Sequence, residues 1–113
     1  MTLQSHVDSI AQTMFHGFEG YGTEDEYCEM QDAYTYLEGI LDINWVLRSD
    51  RTYKYARILV TSGGPNIWID TGSRKVEGYW WGEYAEAEYR ESEFSQELDE
   101  ALECLFEIGR AHV

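Results

Sequence analysis

The sequence predicts an α+β domain: a four- or five-stranded antiparallel sheet with two N-terminal helices and one C-terminal helix packed on one face. Three features of the chain predict it. Apolar residues recur at three- and four-residue steps near both ends; they alternate at every second residue through the middle; and turn residues break the alternating region into short runs. At 113 residues, with 43% hydrophobic and 15% aromatic content, the chain has material for one modest core and no second one.

Leu3, Val7, Ile10, Ala11 and Met14 share one helical face, so a first amphipathic helix is expected over residues 2 to 15. Gly17, Gly20 and Gly22 end it in a loop that also carries Phe18 and Tyr21. Thr23-Glu24-Asp25-Glu26 has the form of a capping box and predicts the start of a second helix, whose apolar face is Tyr27, Met30, Tyr34 and Leu37 and whose stop is Gly39. From Leu41 the period drops to two. Leu41, Ile43, Trp45 and Leu47 alternate with polar residues, and after a turn at Ser49-Asp50-Arg51 a second strand runs from Tyr53 to Thr61. Ser62 to Asn66 is a break; Ile67–Asp70 and Lys75–Trp81 are predicted to form an antiparallel hairpin around Thr71-Gly72-Ser73; residues 83 to 89 add a short fifth strand. A last helix, from Ser92 or Glu93 to Glu107, packs through Phe94, Leu98, Ala101, Leu102 and Leu105. Beyond it, Ile108 to Val113 read as the translation of a common sequencing adapter, so the domain is taken as residues 1–107 and residues 108–113 as an adapter-derived tail.

Charge is the most unusual property. Twenty-two acids stand against eight Lys and Arg, a formal net charge of −14. Such a balance favours solubility but costs stability through self-repulsion. On the last helix, Glu93, Glu97, Glu100, Glu103 and Glu107 are expected opposite the core stripe, about one turn or ~5 to 6 Å apart, on the scale of phosphate spacing along a nucleic-acid strand. Glu86 and Glu88 would extend the row, and Asp25, Glu29 and Asp32 form a second cluster on the second helix. The ordinary explanation of an acidic helix face is solvation. The lack of interleaved lysine argues for more, because a face shaped by stability alone pairs Glu with Lys at i, i+4; between residues 76 and 107, Arg90 is the single cation. Six cations, Arg48, Arg51, Lys54, Arg57, Arg74 and Lys75, gather in the middle of the chain, where they either form a second contact surface or neutralise the acidic helices; Arg110 falls in the tail.

Trp80 and Trp81 are adjacent. On one strand they would point to opposite faces, leaving one exposed as an interface anchor unless the loop around Phe18 and Tyr21 covers it. No catalytic arrangement is evident: His6 and His16 have no Ser or Cys partner motif, Gly63-Gly64 lacks a phosphate-loop context, and no calcium-loop pattern occurs. Cys28 and Cys104 fit no metal spacing and are expected as free, buried thiols in a reducing compartment. No run approaches the ~20 apolar residues of a membrane span, and the N-terminus has no signal-peptide pattern, so an intracellular location is expected.

The stretch Gly63-Gly64-Pro65-Asn66-Ile67-Trp68-Ile69-Asp70-Thr71, followed by Val76-Glu77-Gly78-Tyr79-Trp80-Trp81-Gly82, resembles small proteins carried on gut-bacterial mobile elements; the resemblance covers roughly residues 53 to 89 and carries no known chemistry. More loosely, size and acidity are similar to anti-CRISPR and antirestriction proteins, many of which imitate DNA. The resemblance implies a phage or mobile-element protein acting in the bacterial cytoplasm. Its expected partner is a defence nuclease, a CRISPR–Cas effector foremost, whose DNA-binding site it would block by mimicking DNA charge. The expected contact residues are Glu86, Glu88, Glu93, Glu97, Glu100 and Glu103 with Asp25, Glu29 and Asp32, and Trp80 or Trp81 as aromatic anchor. No enzymatic activity, cofactor, metal, direct nucleic-acid contact or membrane contact is expected, and self-association into a homodimer is an open option. The alternatives are an antirestriction protein, an adaptor that uses an exposed Trp with the acids serving solubility, and, third, a metal-dependent enzyme.

Overall fold

The computed structural model describes residues 2–17 and 30–111. In chain order these form α1 (Leu3–His16), α2 (Met30–Glu38), β1 (Asp42–Leu47), β2 (Tyr53–Thr61), β3 (Asn66–Asp70), β4 (Lys75–Trp80), β5 (Glu83–Glu88) and α3 (Glu93–Ala111). The five strands make one antiparallel meander in the order β1-β2-β3-β4-β5, so each strand pairs with its neighbour in sequence. This is the α+β arrangement of sheet and helices that the sequence predicts. The expected capping box at Thr23 to Glu26 lies outside the described residues.

Local chemistry sets the element ends. Thr2 caps α1: its hydroxyl accepts from the Ser5 backbone N–H (3.1 Å) while Ser5 Oγ accepts from the Thr2 N–H (3.0 Å). Ser92 and Ser95 make the same reciprocal pair before α3. Asp70 closes the β3–β4 turn by accepting from the backbone N–H of Gly72 and Ser73, both at 3.0 Å. Thr71 is buried there, and its hydroxyl both donates to the Ala56 carbonyl (3.0 Å) and accepts from the Ala56 N–H (3.1 Å).

The core lies between the sheet and the helices. Ala56, Ile58, Ile67, Ile69, Val76 and Ala85 supply the sheet side; Val7, Ala11 and Met14 of α1 and Phe94, Leu98, Ala101 and Leu102 of α3 supply the other. Complete burial of Phe94, Leu98 and Leu102 contributes roughly 1.5–3 kcal/mol each. α1 lies over β4 and β5, α3 lies over β2, and α2 packs along α3. The opposite sheet face carries the alternate residues, and among the described residues no helix packs on it.

Candidate functional site

The register of the sheet builds two rows on its open face. One runs Asn44, Arg57, Asp70, Lys75, Glu88; the next runs Asp42, Leu59, Trp68, Glu77, Glu86. Within these rows both cations are ion-paired. Arg57 Nη2 donates to Glu77 Oε1 at 2.8 Å and its Nε lies 3.9 Å from Asp70 Oδ2. Lys75 Nζ is 3.0 Å from Glu86 Oε2, and this hydrogen bond and charge hold the Lys75 ammonium above its usual pKa. Arg57 also stacks on Trp68, its guanidinium carbon 5.4 Å from the ring centroid.

Next to these rows, toward the β4–β5 turn, the face becomes aromatic. Tyr79 and Tyr84 are register partners whose rings meet at 5.0 Å between centroids, and they are 43% and 48% exposed. Tyr84 Oη donates to the second oxygen of Glu77 (3.2 Å). Desolvation and the nearby Glu77 and Glu86 charges raise the Tyr84 hydroxyl above its ordinary pKa.

Trp81 stands at the tip. Trp80 pairs with Glu83, so Trp81-Gly82 is a two-residue turn, and both residues have positive φ, 54° and 80°. That is the geometry of a type I′ hairpin, which favours Asn, Asp or Gly at its first position. A tryptophan there is strained, and at 84% exposure it gains no packing in return. The sequence expectation that Trp81 ends the strand is thereby corrected: β4 stops at Trp80, and Trp81 belongs to the turn. Trp80 is partly buried against the core, so Trp81 is the exposed member of the pair.

Among the described residues, the expected acidic residues do not form one surface. Glu86 and Glu88 lie on the open face of the sheet, and Glu86 is ion-paired. Glu93, Glu100, Glu103 and Glu107 are exposed on α3, in the helix layer. Glu97, expected in that exposed row, is only 6% exposed. α3 packs on α1, on α2 and on β2, and its buried arc is wide enough to include Ser95 and Glu97. Asp25 and Glu29 lie outside the described residues, as does the side chain of Asp32. Cys104, expected to be buried, is an exposed free thiol, and Cys28 lies outside the described residues.

Two of the six central cations, Arg57 and Lys75, ion-pair within the sheet. Besides Arg57 and Lys75, Arg74 reaches Glu91 before α3 at 3.8 Å, and Arg48 donates to the Tyr53 carbonyl in the β1–β2 turn. Among the described residues, Glu93, Glu100 and Glu103 form no ion pair. A cleft of about 330 Å³ between α3 and the β2 and β3 ends is lined by Arg48, Tyr53, Thr71, Asp99, Glu100 and Glu103. Burial there pushes the Asp99 carboxyl up to about 6; Arg74 opposes the shift, while Glu91 and Glu100 add to it. Among the described residues, no cluster of three His, Cys, Asp or Glu side chains could hold a metal ion, and no helix is long and apolar enough to cross a membrane.

Sequence periodicity marked the acidic stripe but not the Tyr79–Tyr84 pair, which depends on the β4–β5 register. No family model matches the chain, and no curated protein or solved structure is significantly similar to it.

Proposed function

We propose that the chain is a non-enzymatic binding protein that docks a basic protein surface, with Trp81 as its hydrophobic anchor and the exposed carboxylates as its charge complement. The observation that carries this reading is the tryptophan itself. A bulky side chain held at φ 54° and 84% exposed costs the fold conformational strain with no packing return, and a rigid exposed tryptophan is the side chain most enriched at binding hot spots. The net charge of −14 selects cationic partners and speeds encounter with them.

A second, sharper reading concerns what that partner is. The exposed α3 glutamates without ion pairs favour an inhibitor of a DNA-targeting nuclease, a CRISPR–Cas effector foremost and a restriction enzyme next, working in the bacterial cytoplasm as a DNA mimic. Burial of Glu97, the Lys75–Glu86 pair and the place of Glu88 on the open sheet face shorten the mimicking row to Glu93, Glu100 and Glu103.

The two readings separate in one experiment. Purified effectors and restriction enzymes are assayed for DNA cleavage with the wild-type protein, Trp81→Ser, and the Glu100→Lys/Glu103→Lys pair. Anchoring predicts that Trp81→Ser loses binding and that tryptophan emission shifts to the blue in the complex. Mimicry predicts that the lysine pair loses inhibition and that affinity falls steeply with salt. Binding that ignores Trp81→Ser overturns the anchor, and inhibition that ignores both salt and the lysine pair overturns the mimic.

A further inference from the structure

We propose that the Tyr79–Tyr84 pair on the open sheet face, with the Glu77 and Glu86 carboxylates beside it, takes an arginine side chain of the protein partner. This inference rests on the basic-partner reading above and names the chemistry by which a second part of the surface recognises that partner.

The face already holds one guanidinium in this way. Arg57 brings its guanidinium carbon over the Trp68 ring, 5.4 Å from the centroid, and its Nη2 is bonded to Glu77 at 2.8 Å. One step toward the hairpin tip, a pair of exposed rings stands beside the same carboxylates, with no cation over it among the described residues. Tyr79 and Tyr84 offer two tilted rings at 5.0 Å, both close to half exposed. The Tyr84 hydroxyl is tied to the other oxygen of the same Glu77, and Glu86 faces Glu77 across the β4–β5 ladder. Among the described residues, the ring-bound cations are Arg57 on Trp68 and Lys54 near Tyr55, and neither reaches the tyrosine pair. Glu77 and Glu86 are each already ion-paired, with Arg57 and Lys75, but the two rows hold five carboxylates (Asp42, Asp70, Glu77, Glu86 and Glu88) against those two cations, so the face keeps a net negative potential beside the flat ring walls. This matches a guanidinium better than an ammonium because the planar group can stack while its N–H edge reaches a carboxylate. Trp81, at the adjacent tip, would seat the apolar part of the same partner segment.

The test uses the full chain titrated with hexa-arginine and hexa-lysine peptides at about 150 mM salt, where exposed long-range charge is largely screened, followed by amide and tyrosine-ring NMR signals and by calorimetry. The expected result is saturable shifts centred on Tyr79 and Tyr84, tighter binding of the arginine peptide, and about tenfold weaker binding by Tyr79→Leu/Tyr84→Leu, which removes both rings at constant charge. The amide spectrum of that variant reports whether it is folded. Tyr84→Phe, which keeps the ring and loses only the hydroxyl, is expected to stay within about twofold of wild type. Equal affinity of the wild type and the leucine pair, or shifts centred on α3, would overturn the proposal in favour of diffuse charge attraction. The peptide titration does not depend on Trp81, so the arginine site can fail while the anchor stands, and the anchor can fail in the nuclease assays while the arginine site stands.

Discussion

Gly78 of β4 and Val7 of α1 are in such close approach that a Cβ added to the glycine would stand 2.7 Å from Val7 Cγ2 and 2.9 Å from Leu3 Cδ1. The helix is seated on the sheet through this missing side chain. Gly78→Ala is therefore expected to push α1 off β4 and cost about 1–3 kcal/mol. Urea denaturation checks it, and a loss of under half a kilocalorie would mean that α1 can slide without consequence. A second substitution, Val7→Ala in the Gly78→Ala background, should recover part of the loss by making room for the methyl.

That seat was not legible in the sequence, and the reason is general to this fold. Periodicity within a segment located β2 at Tyr53 to Thr61, the inward pair Ile43 and Trp45 of β1, and the α1 face of Leu3, Val7, Ala11 and Met14. It did so because each of those segments buries one face against one neighbour. Leu41 and Leu47, expected on the same face as Ile43, are exposed, Leu41 before the strand and Leu47 past a register shift after Val46. Where an element has two neighbours, or where the property belongs to a pair of strands, a single-segment pattern carries no signal. Glu97 is buried on a helix that packs on α1, on α2 and on the sheet at once. Arg57 meets Glu77 across an intervening strand, a contact fixed by two registers at once. Trp81 read as strand because Trp has high β-propensity, yet the Trp80–Glu83 pairing forces it into the turn.

Burial of Glu97 changes how α3 can be tested. Glu100→Lys and Glu103→Lys replace exposed side chains and should alter stability by no more than about 0.5 kcal/mol each. Glu97→Lys would place an ammonium where the structure leaves 6% exposure and is expected to destabilise by about 3 kcal/mol or more. Thermal melts of the three single variants check the contrast. If Glu97→Lys melts with the wild type, the packing around α3 described above is wrong.

Asp99 gives the stability a defined pH dependence. Its carboxyl titrates at about 6 in the folded protein, above the ordinary value of 3.8, because burial of this α3 side chain in the cleft disfavours the charged form. Between those two values the folded state holds a proton that the unfolded state has released. The contribution is fully present below the unfolded pKa and is lost as pH rises through about 6. Asp99→Asn keeps the shape and removes the titration. It is expected to stabilise the protein at pH 7 by on the order of 1 kcal/mol relative to wild type, and to show no advantage near pH 4. Denaturation curves at the two pH values, compared between the two proteins, cancel the repulsion that all the other acids share. An equal difference at both pH values would remove Asp99 as the cause.

Trp81 sets stability against binding, and one substitution measures both. The turn Trp81-Gly82 has the positive φ values of a type I′ hairpin, for which Asn-Gly is the favoured pair. Trp81→Asn keeps Gly82 and the register, relieves a bulky residue from the left-handed region, and removes an exposed ring that packs on little. It should raise stability by about 0.5–1 kcal/mol while reducing affinity for the partner by tenfold or more. Stability is read by urea denaturation and affinity by titration against the nuclease or other basic partner that the wild type binds. A variant that is less stable would mean that the ring supports the fold, and its conservation of strain would then need no functional cause. A variant that is more stable and still binds fully would leave the exposed tryptophan without a role. The combination of a firmer hairpin and a weaker complex is the outcome expected when a side chain is kept for recognition against the preference of the backbone that bears it.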